Sequence, residues 1–291
     1  MPFMARTVGS EREGFVKLKE RTEYLWYEYN FTPQKKLGQN FLIDPQIVDR
    51  IIESLKLDKQ DTVLEIGAGT GILTEKLAQK AKKVTGIEID RKLCDILEGE
   101  LKKYANLRIF CEDITQIFSK ERFNQLQFDK VVGNLPYQIA SPLLLDLVKK
   151  KWIKFMVIMV QREVAERLLS RPGHKKRGVL TVLANYYARV NKIIDVPPQA
   201  FIPMPRVGSS LLKIERRKRY QAKNESNFFS IVKAAFSSRR KMLGNALSMK
   251  LGIDKELLKK KLARAGVEWK KRAEDLKVRE FVDISNEISD P

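Results

Sequence analysis

From Thr62 to Leu169 the chain alternates short apolar runs with helically spaced segments, a rhythm that few folds accept. Thr62 to Ile66, Lys83 to Ile89, Leu107 to Cys111, Phe128 to Val132 and Phe155 to Val160 read as buried strands. Gly71 to Ala81, Lys92 to Lys103, Pro142 to Lys150 and Val164 to Leu169 read as helices between and after them. Ile47, Val48, Ile51, Ile52 and Leu55 add one amphipathic helix ahead of the first strand. Strands separated by helices require crossovers, so neighbouring strands run parallel and helices cover both faces of the sheet. The predicted fold is α/β, an open Rossmann-like sheet.

Near Glu215 the rhythm stops. Residues 215–227 (ERRKRYQAKNESN) are charged and read as a linker, and beyond them lie helical segments over Phe228 to Lys250, Asp254 to Ala265 and Arg279 to Ile288. The division expected is an N-terminal extension over 1–30, an α/β domain over 31–214, and a small all-α domain over 228–291. The extension is polar with Tyr24, Trp26, Tyr27 and Tyr29 clustered, and Ser10 with Glu13 forms a candidate capping box for a short helix. Chain ends are often loosely held, and a loosely ordered arm is expected here.

Composition narrows the partner. The chain has 56 Lys and Arg against 36 Asp and Glu, a formal charge of +20, which favours a polyanion such as nucleic acid. Apolar runs such as Leu143 to Leu145 and Phe155 to Val160 are too short to cross a bilayer, and the N-terminus lacks a secretory pattern. No membrane is expected, and the location expected is cytoplasmic. With one histidine (His174) and two cysteines (Cys94 and Cys111) outside any ligand pattern, no metal is expected either. The two cysteines read as separate, incidental thiols, and a monomer is expected.

The stretch from Val63 to Gly71 (VLEIGAGTG) joins a strand to a helix through three glycines, a turn that lets backbone approach a ligand closely. Glu88 ends the next strand 17 residues after Gly71, where a carboxylate accepts hydrogen bonds from ribose hydroxyls. The G-x-G-x-G spacing lacks the arrangement that sets a helix N-terminus on a pyrophosphate. Asp113, after the third strand, is placed to meet an adenine amino group. An adenosine without phosphates fits this lining, which points to S-adenosylmethionine.

Gly133-Asn134-Leu135-Pro136-Tyr137 follows the fourth strand, at the sheet end where such folds bind ligands. The exocyclic amine of adenine is a poor nucleophile because its lone pair is delocalised into the ring. Two acceptors on its N–H groups let the nitrogen pyramidalise toward a methyl donor. The Asn134 side-chain carbonyl and the Leu135 backbone carbonyl are candidate acceptors, Pro136 restricts the residue before it, and Tyr137 offers a ring for base stacking. The reaction this implies depends on positioning more than on a strong base, in keeping with a chain that has one histidine.

On these motifs the sequence resembles the ribosomal RNA adenine dimethyltransferases, in their small-subunit branch, from about Lys35 to the C-terminus. The fold implied is a class I S-adenosylmethionine-dependent methyltransferase domain with a small helical RNA-docking domain. Lys35 to Leu42 (KKLGQNFL) resembles the family's opening motif, and by that resemblance Asn40 and Leu42 join Gly67, Glu88, Asp113 and Asn134 around the cofactor. Phe201 to Ser209 (FIPMPRVGS) resembles the F-x-P-x-P-x-V-x-S segment, which implies Phe201 against the target adenine opposite Tyr137. Read without the resemblance, Phe201 is a core residue in a proline-stiffened loop. Ala235 to Leu243 (AFSSRRKML) resembles a basic RNA-contacting helix, implying phosphate contacts from Arg239, Arg240 and Lys241. The loop Arg171 to Arg177 (RPGHKKR) is a second candidate phosphate contact.

The implied reaction is dimethylation of two adjacent adenosines near the 3′ end of small-subunit ribosomal RNA, during ribosome biogenesis. The alternatives are a large-subunit methyltransferase of the macrolide-resistance type, a non-catalytic nucleic-acid-binding factor on the same fold, and a DNA adenine methyltransferase. Intact Glu88 and Asn134 to Tyr137 weigh against the binding factor, and the helical C-terminal part weighs against a DNA substrate.

Overall fold

The computed structural model describes residues 4–117, 126–136, 139–217, 220–238 and 240–288, with side chains from residue 14 onward. Tyr137 and Arg239 fall outside them. Seven strands form one sheet: β2 (Thr62–Ile66), β3 (Lys83–Glu88), β4 (Leu107–Cys111), β5 (Lys130–Asn134), β6 (Phe155–Gln161), β7 (Ala188–Val196) and β9 (Ser209–Arg216). Their order is β4-β3-β2-β5-β6-β9-β7, with β4 through β6 mutually parallel and β9 antiparallel to β6. The order reverses between β2 and β3 on one side and β5 on the other, so a crevice opens where the carboxyl ends of β2 and β5 part. A two-stranded ribbon pairs β1 (Phe41–Leu42) with β8 (Phe201–Ile202).

The helices before and within the sheet are α1 (Met4–Glu28), α2 (Pro45–Leu55), α3 (Ile72–Ala78), α4 (Arg91–Glu100), α5 (Ile114–Ile117), α6 (Ala140–Lys149) and α7 (Arg162–Leu169). Asp44 caps α2 by accepting from Gln46 and Ile47, and Pro45 takes the first turn, where a missing N–H costs nothing. From the buried face of α2, Ile47, Ile51, Ile52 and Leu55 join Val63, Val84, Val132 and Val157 in the main core.

Within the N-terminal arm, α1 runs through Ser10 without a cap there, and its second half is packed on the sheet unit. Leu25 is buried with Phe31, Phe41, Leu93 and Ile96. Trp26 meets Phe41 edge-on at 5.4 Å, Arg21 pairs with Glu75 at 2.7 Å, and the Tyr29 hydroxyl donates to Glu100 at 3.2 Å. Burying these aromatic rings outweighs the fraying expected of a chain end.

The chain forms two compact units. The first comprises residues 1–143, 150–165 and 191–215, and the second 144–149, 166–190 and 216–291. The second unit gathers α8 (Val179–Tyr187) with α9 (Glu225–Ala235), α10 (Leu243–Leu251), α11 (Lys255–Arg264) and α12 (Val278–Glu287). It therefore recruits residues expected in the 31–214 domain, because Tyr186 stacks on Phe228 at 4.4 Å and the Tyr187 hydroxyl donates to Glu225 at 3.0 Å.

The helix expected over Phe228 to Lys250 is broken. The Ser237 hydroxyl donates to the Ala234 carbonyl, the backbone turns at 236–237, and Leu243 N–H donates to the Lys271 carbonyl as α10 begins. Serine hydroxyls compete for helical carbonyls in this way. Cys94 and Cys111, expected as separate thiols, are joined in a disulfide with Cα atoms 5.9 Å apart. Their separation of 17 residues is one crossover: Glu88 sits opposite Cys111 in the β3–β4 ladder, and Cys94 lies in the first turns of α4 just after Glu88.

Candidate active site

At the carboxyl ends of β2, β3 and β5 lies a cavity of about 330 Å³, wholly within the first unit. Eight residues singled out from the sequence line it: Asn40, Leu42, Gly67, Glu88, Asp113, Asn134, Leu135 and Pro136. The turn after β2 holds Gly67, Gly69 and Gly71 at φ of 74°, 58° and 84°, a region L side chains rarely adopt. A Cβ on Gly69 would also stand 3.3 Å from the Phe41 ring, so the turn and the 35–42 segment approach because that side chain is missing.

Glu88 is 6% exposed, and its carboxylate is held by three backbone amides: Gly69 at 2.9 Å, Ile89 at 2.8 Å and Asp90 at 3.1 Å. Burial pushes its pKa up, while the three amides work in the opposite direction. Oε1 takes two of these amides and Oε2 one, so the carboxylate is oriented by the protein and Oε2 keeps a lone pair for a ribose hydroxyl. Ile89, 48% exposed, lines the cavity beside it and offers an apolar surface to a ring.

Asp113 does both of the things a carboxylate at that point can do. Its Oδ1 accepts from the Thr115 amide and hydroxyl, each at 2.8 Å, capping α5, while the residue also lines the cavity. The set of an amide-backed carboxylate, a glycine turn without phosphate-binding geometry and a second carboxylate fits the adenosyl group of S-adenosylmethionine.

Asn134 ends β5 opposite Met159 of β6. Gly133 before it has no side chain to clash with the Ile66 carbonyl, which a Cβ would meet at 2.5 Å, so β5 runs close beside β2 up to the crevice. The Asn134 Nδ2 donates to the Asn40 carbonyl at 3.2 Å. That carbonyl can only accept, so the Oδ1 of Asn134 is turned to the other side. Leu135 N–H donates to the Met159 carbonyl at 3.0 Å, fixing the peptide whose carbonyl is the second candidate acceptor.

Phe201 is a core residue. It is 3% exposed, pairs with Leu42 across the β1–β8 ribbon and packs in the main core with Val196, Ala200 and Leu211; it does not line the cavity. Its burial fits the reading made without the resemblance, a core residue in the proline-stiffened loop, while Tyr137, its implied partner in stacking, lies outside the described residues.

Two cavity residues carry chemistry that the motif reading left unassigned. Glu65, in β2, is 2% exposed with its Oε2 atom unpartnered among the described residues. Gln39 bridges two parts of the protein. The signal for both was their place inside the glycine and KKLGQNFL motifs.

The basic residues expected to contact RNA lie in the second unit. Arg240 and Lys241 are exposed on the turn before α10, not on a helix. In the 171–177 loop, Arg171 and Lys175 are exposed, Lys176 pairs with Glu166, and Arg177 is buried. Arg177 donates to the carbonyls of Ser170 and Leu276, both at 3.0 Å, and burial lowers its pKa. It holds the loop instead of reaching for phosphate.

Known proteins agree with this reading. A family profile described as "Ribosomal RNA adenine dimethylase" matches residues 30–290. The chain is 41% identical over 272 residues to Ribosomal RNA small subunit methyltransferase A of Clostridium botulinum, covering 92% of this chain and 98% of that protein. It is 38% identical over 284 residues to the protein of the same name from Bacillus cereus, covering 94% and 97%. Among solved structures, a dimethyladenosine transferase from Plasmodium falciparum superposes with a TM-score of 0.71 at 28% identity, covering 84% of this chain and 95% of that one. The 23S rRNA methyltransferase ErmE gives 0.64 at 25% identity, covering 86% and 99%. With the profile spanning all but the first 29 residues and the last one, and the cofactor-shaped cavity at its centre, the chain belongs to the ribosomal RNA adenine dimethylase family, enzymes that use S-adenosylmethionine to methylate adenine in ribosomal RNA.

Proposed function

We propose that this chain dimethylates the N6 amines of two adjacent adenosines near the 3′ end of small-subunit ribosomal RNA, acting in the cytoplasm on the assembling subunit. The observation that carries the chemistry is the Asn134 carboxamide, tied through Nδ2 to the Asn40 carbonyl at the rim of the cavity. The choice of subunit is supported by identity of 41% to a small-subunit methyltransferase, against 25% to the 23S enzyme.

S-adenosylmethionine, when bound, supplies a methyl on a positively charged sulfur that departs as a neutral thioether. Glu88 and Asp113 would hold the adenosyl group, and the glycine turn would admit it to close contact. Asn134 Oδ1 and the Leu135 carbonyl would accept the two N–H groups of the target amine, directing its lone pair at the methyl. The amine proton is lost only after the N–C bond has formed, so no strong base is required, and positioning supplies most of the rate. Tyr137 remains the proposed stacking partner of the extruded base, a contact worth ~1–3 kcal/mol.

Charge supports the second unit as the RNA-docking body. It carries 27 Lys and Arg against 12 Asp and Glu, so 15 of the 20 surplus positive charges fall on it. Such contacts neutralise phosphates and give affinity and position more than sequence choice.

The test incubates the protein with radiolabelled S-adenosylmethionine and small subunits lacking adenine dimethylation, with large subunits and DNA in parallel. Label recovered as N6,N6-dimethyladenosine in small-subunit RNA is the expected result. Label only in large-subunit RNA transfers the assignment to the resistance-type branch, and no label with cofactor bound favours a binding factor. In the same assay, removing both charges (R240A with K241A) should weaken RNA binding and reduce the log–log salt slope by about 1.4–1.8. An unchanged slope moves the RNA surface elsewhere.

A further inference from the structure

We infer that Gln39 is a positioning residue for methyl transfer: it fastens the 34–40 segment to Asp90 and thereby fixes the Asn40 carbonyl that orients Asn134. The inference rests on the catalytic role proposed for Asn134. Gln39 uses both ends of its side chain on protein partners, Oε1 accepting from the Gln34 amide at 2.6 Å and Nε2 donating to Asp90 Oδ2 at 2.9 Å. Asp90 Oδ2 also accepts from Gln34 Nε2 at 2.8 Å, and its Oδ1 accepts from the Lys92 amide at 3.0 Å. Asp90 is 6% exposed, and its own N–H donates to Glu88. The segment that carries Asn40 is thus locked to the strand end that carries Glu88.

This network decides which way the reactive carboxamide faces. An asparagine at a strand end has two amide orientations of similar shape, and the Asn40 carbonyl, as a pure acceptor, selects the one with Oδ1 turned away from it. The carbonyl stays in place because its neighbours are held: Phe41 by Trp26, Phe31 and the β1–β8 pairing, and Gln39 by the clamp just described. Glutamine suits the position because one donor and one acceptor are needed at once. Alanine leaves the Gln34 amide without that acceptor, and glutamate sets a second carboxylate against Asp90.

Gln39→Ala should lower kcat about tenfold at saturating cofactor and RNA, in the range expected for sub-ångström misplacement, while the Kd for S-adenosylmethionine changes less than threefold. On an Asn134→Ala background the same substitution should cost nothing further, since both act through one group. Q39E should be as slow as the alanine variant, and adding D90N, which supplies a donor facing the new carboxylate, should recover part of the rate. A wild-type kcat for Gln39→Ala, a loss that saturating cofactor abolishes, or a full additional loss in the double variant would each overturn the inference. Wild-type protein on the same small subunits separates the two levels: absent label there overturns the substrate reading and this inference together, whereas normal wild-type label with an unaffected Gln39→Ala overturns the inference alone.

Discussion

Replacing Asn134 by alanine will cut kcat by ~10²–10³-fold, the cost usually seen when one preorganised hydrogen-bonding group is removed from a reacting centre. S-adenosylmethionine should still bind within tenfold of the wild-type Kd. The split follows from where the side chain sits. Glu88 and Asp113, at the ends of β3 and β4, are untouched by the change, and the cavity keeps its glycine turn. What is lost is one of the two acceptors proposed for the target amine, leaving the Leu135 carbonyl alone. Asn134 is half-buried at a strand end, so truncation opens no core cavity, and the unfolding midpoint should stay near that of the wild type. Single-turnover methylation with pre-bound cofactor, alongside calorimetric cofactor titration, measures both halves. A variant that turns over at wild-type rate removes the carboxamide from the mechanism. One that loses cofactor in proportion to activity makes it a binding residue only.

The strands that carry the proposed site were legible in the sequence because parallel strands buried on both faces read as unbroken apolar runs, and β2 and β4 begin and end as expected. The neighbouring strand shows the limit. Phe128 continues the apolar run into β5, yet it lies outside the strand, packed on Trp152 with ring centroids 5.5 Å apart. At the other end the ladder continues through Gly133 and Asn134, residues with poor strand propensity, because β6 offers partners there. The Cys94–Cys111 bond and the docking of α1 share one cause: each is set by a tertiary neighbour many residues away. The break before α10 was present locally in Ser237 and Ser238, but the basic run beside them resembled a continuous helix.

Glu65 should make the protein lose stability as the pH rises from about 4.5 to 8, and Glu65→Gln should abolish most of that loss. The carboxyl is buried at the cavity wall, and burial pushes its pKa up to about 8; the Thr74 hydroxyl opposes this and the Glu88 carboxylate adds to it. A folded pKa above the unfolded one means that the native state keeps a proton the unfolded chain has released. The stabilisation is complete below the ordinary glutamate value, declines through the window and is gone above the folded pKa. The shift from 4.5 to about 8 corresponds to a decline on the order of 5 kcal/mol. Glu88, whose pKa burial also raises, contributes in the same direction. Carboxylates with lowered pKa, such as Asp129 bonded to Thr62 and Asp195 bonded to Lys192, act oppositely, losing their contribution as the pH falls below the usual carboxylate range. Their window is separate, so the slope between pH 5 and 8 isolates the raised groups. Glutamine keeps the shape and removes the charge, and the variant should match the wild type near pH 4.5 and exceed it by several kcal/mol at pH 8.5. Urea unfolding of both proteins across that range, followed by a probe in the sheet unit, reads the difference directly. Parallel pH profiles for the two would mean that Glu65 is ionised in the folded protein and that its buried oxygen has found a cation or water to meet.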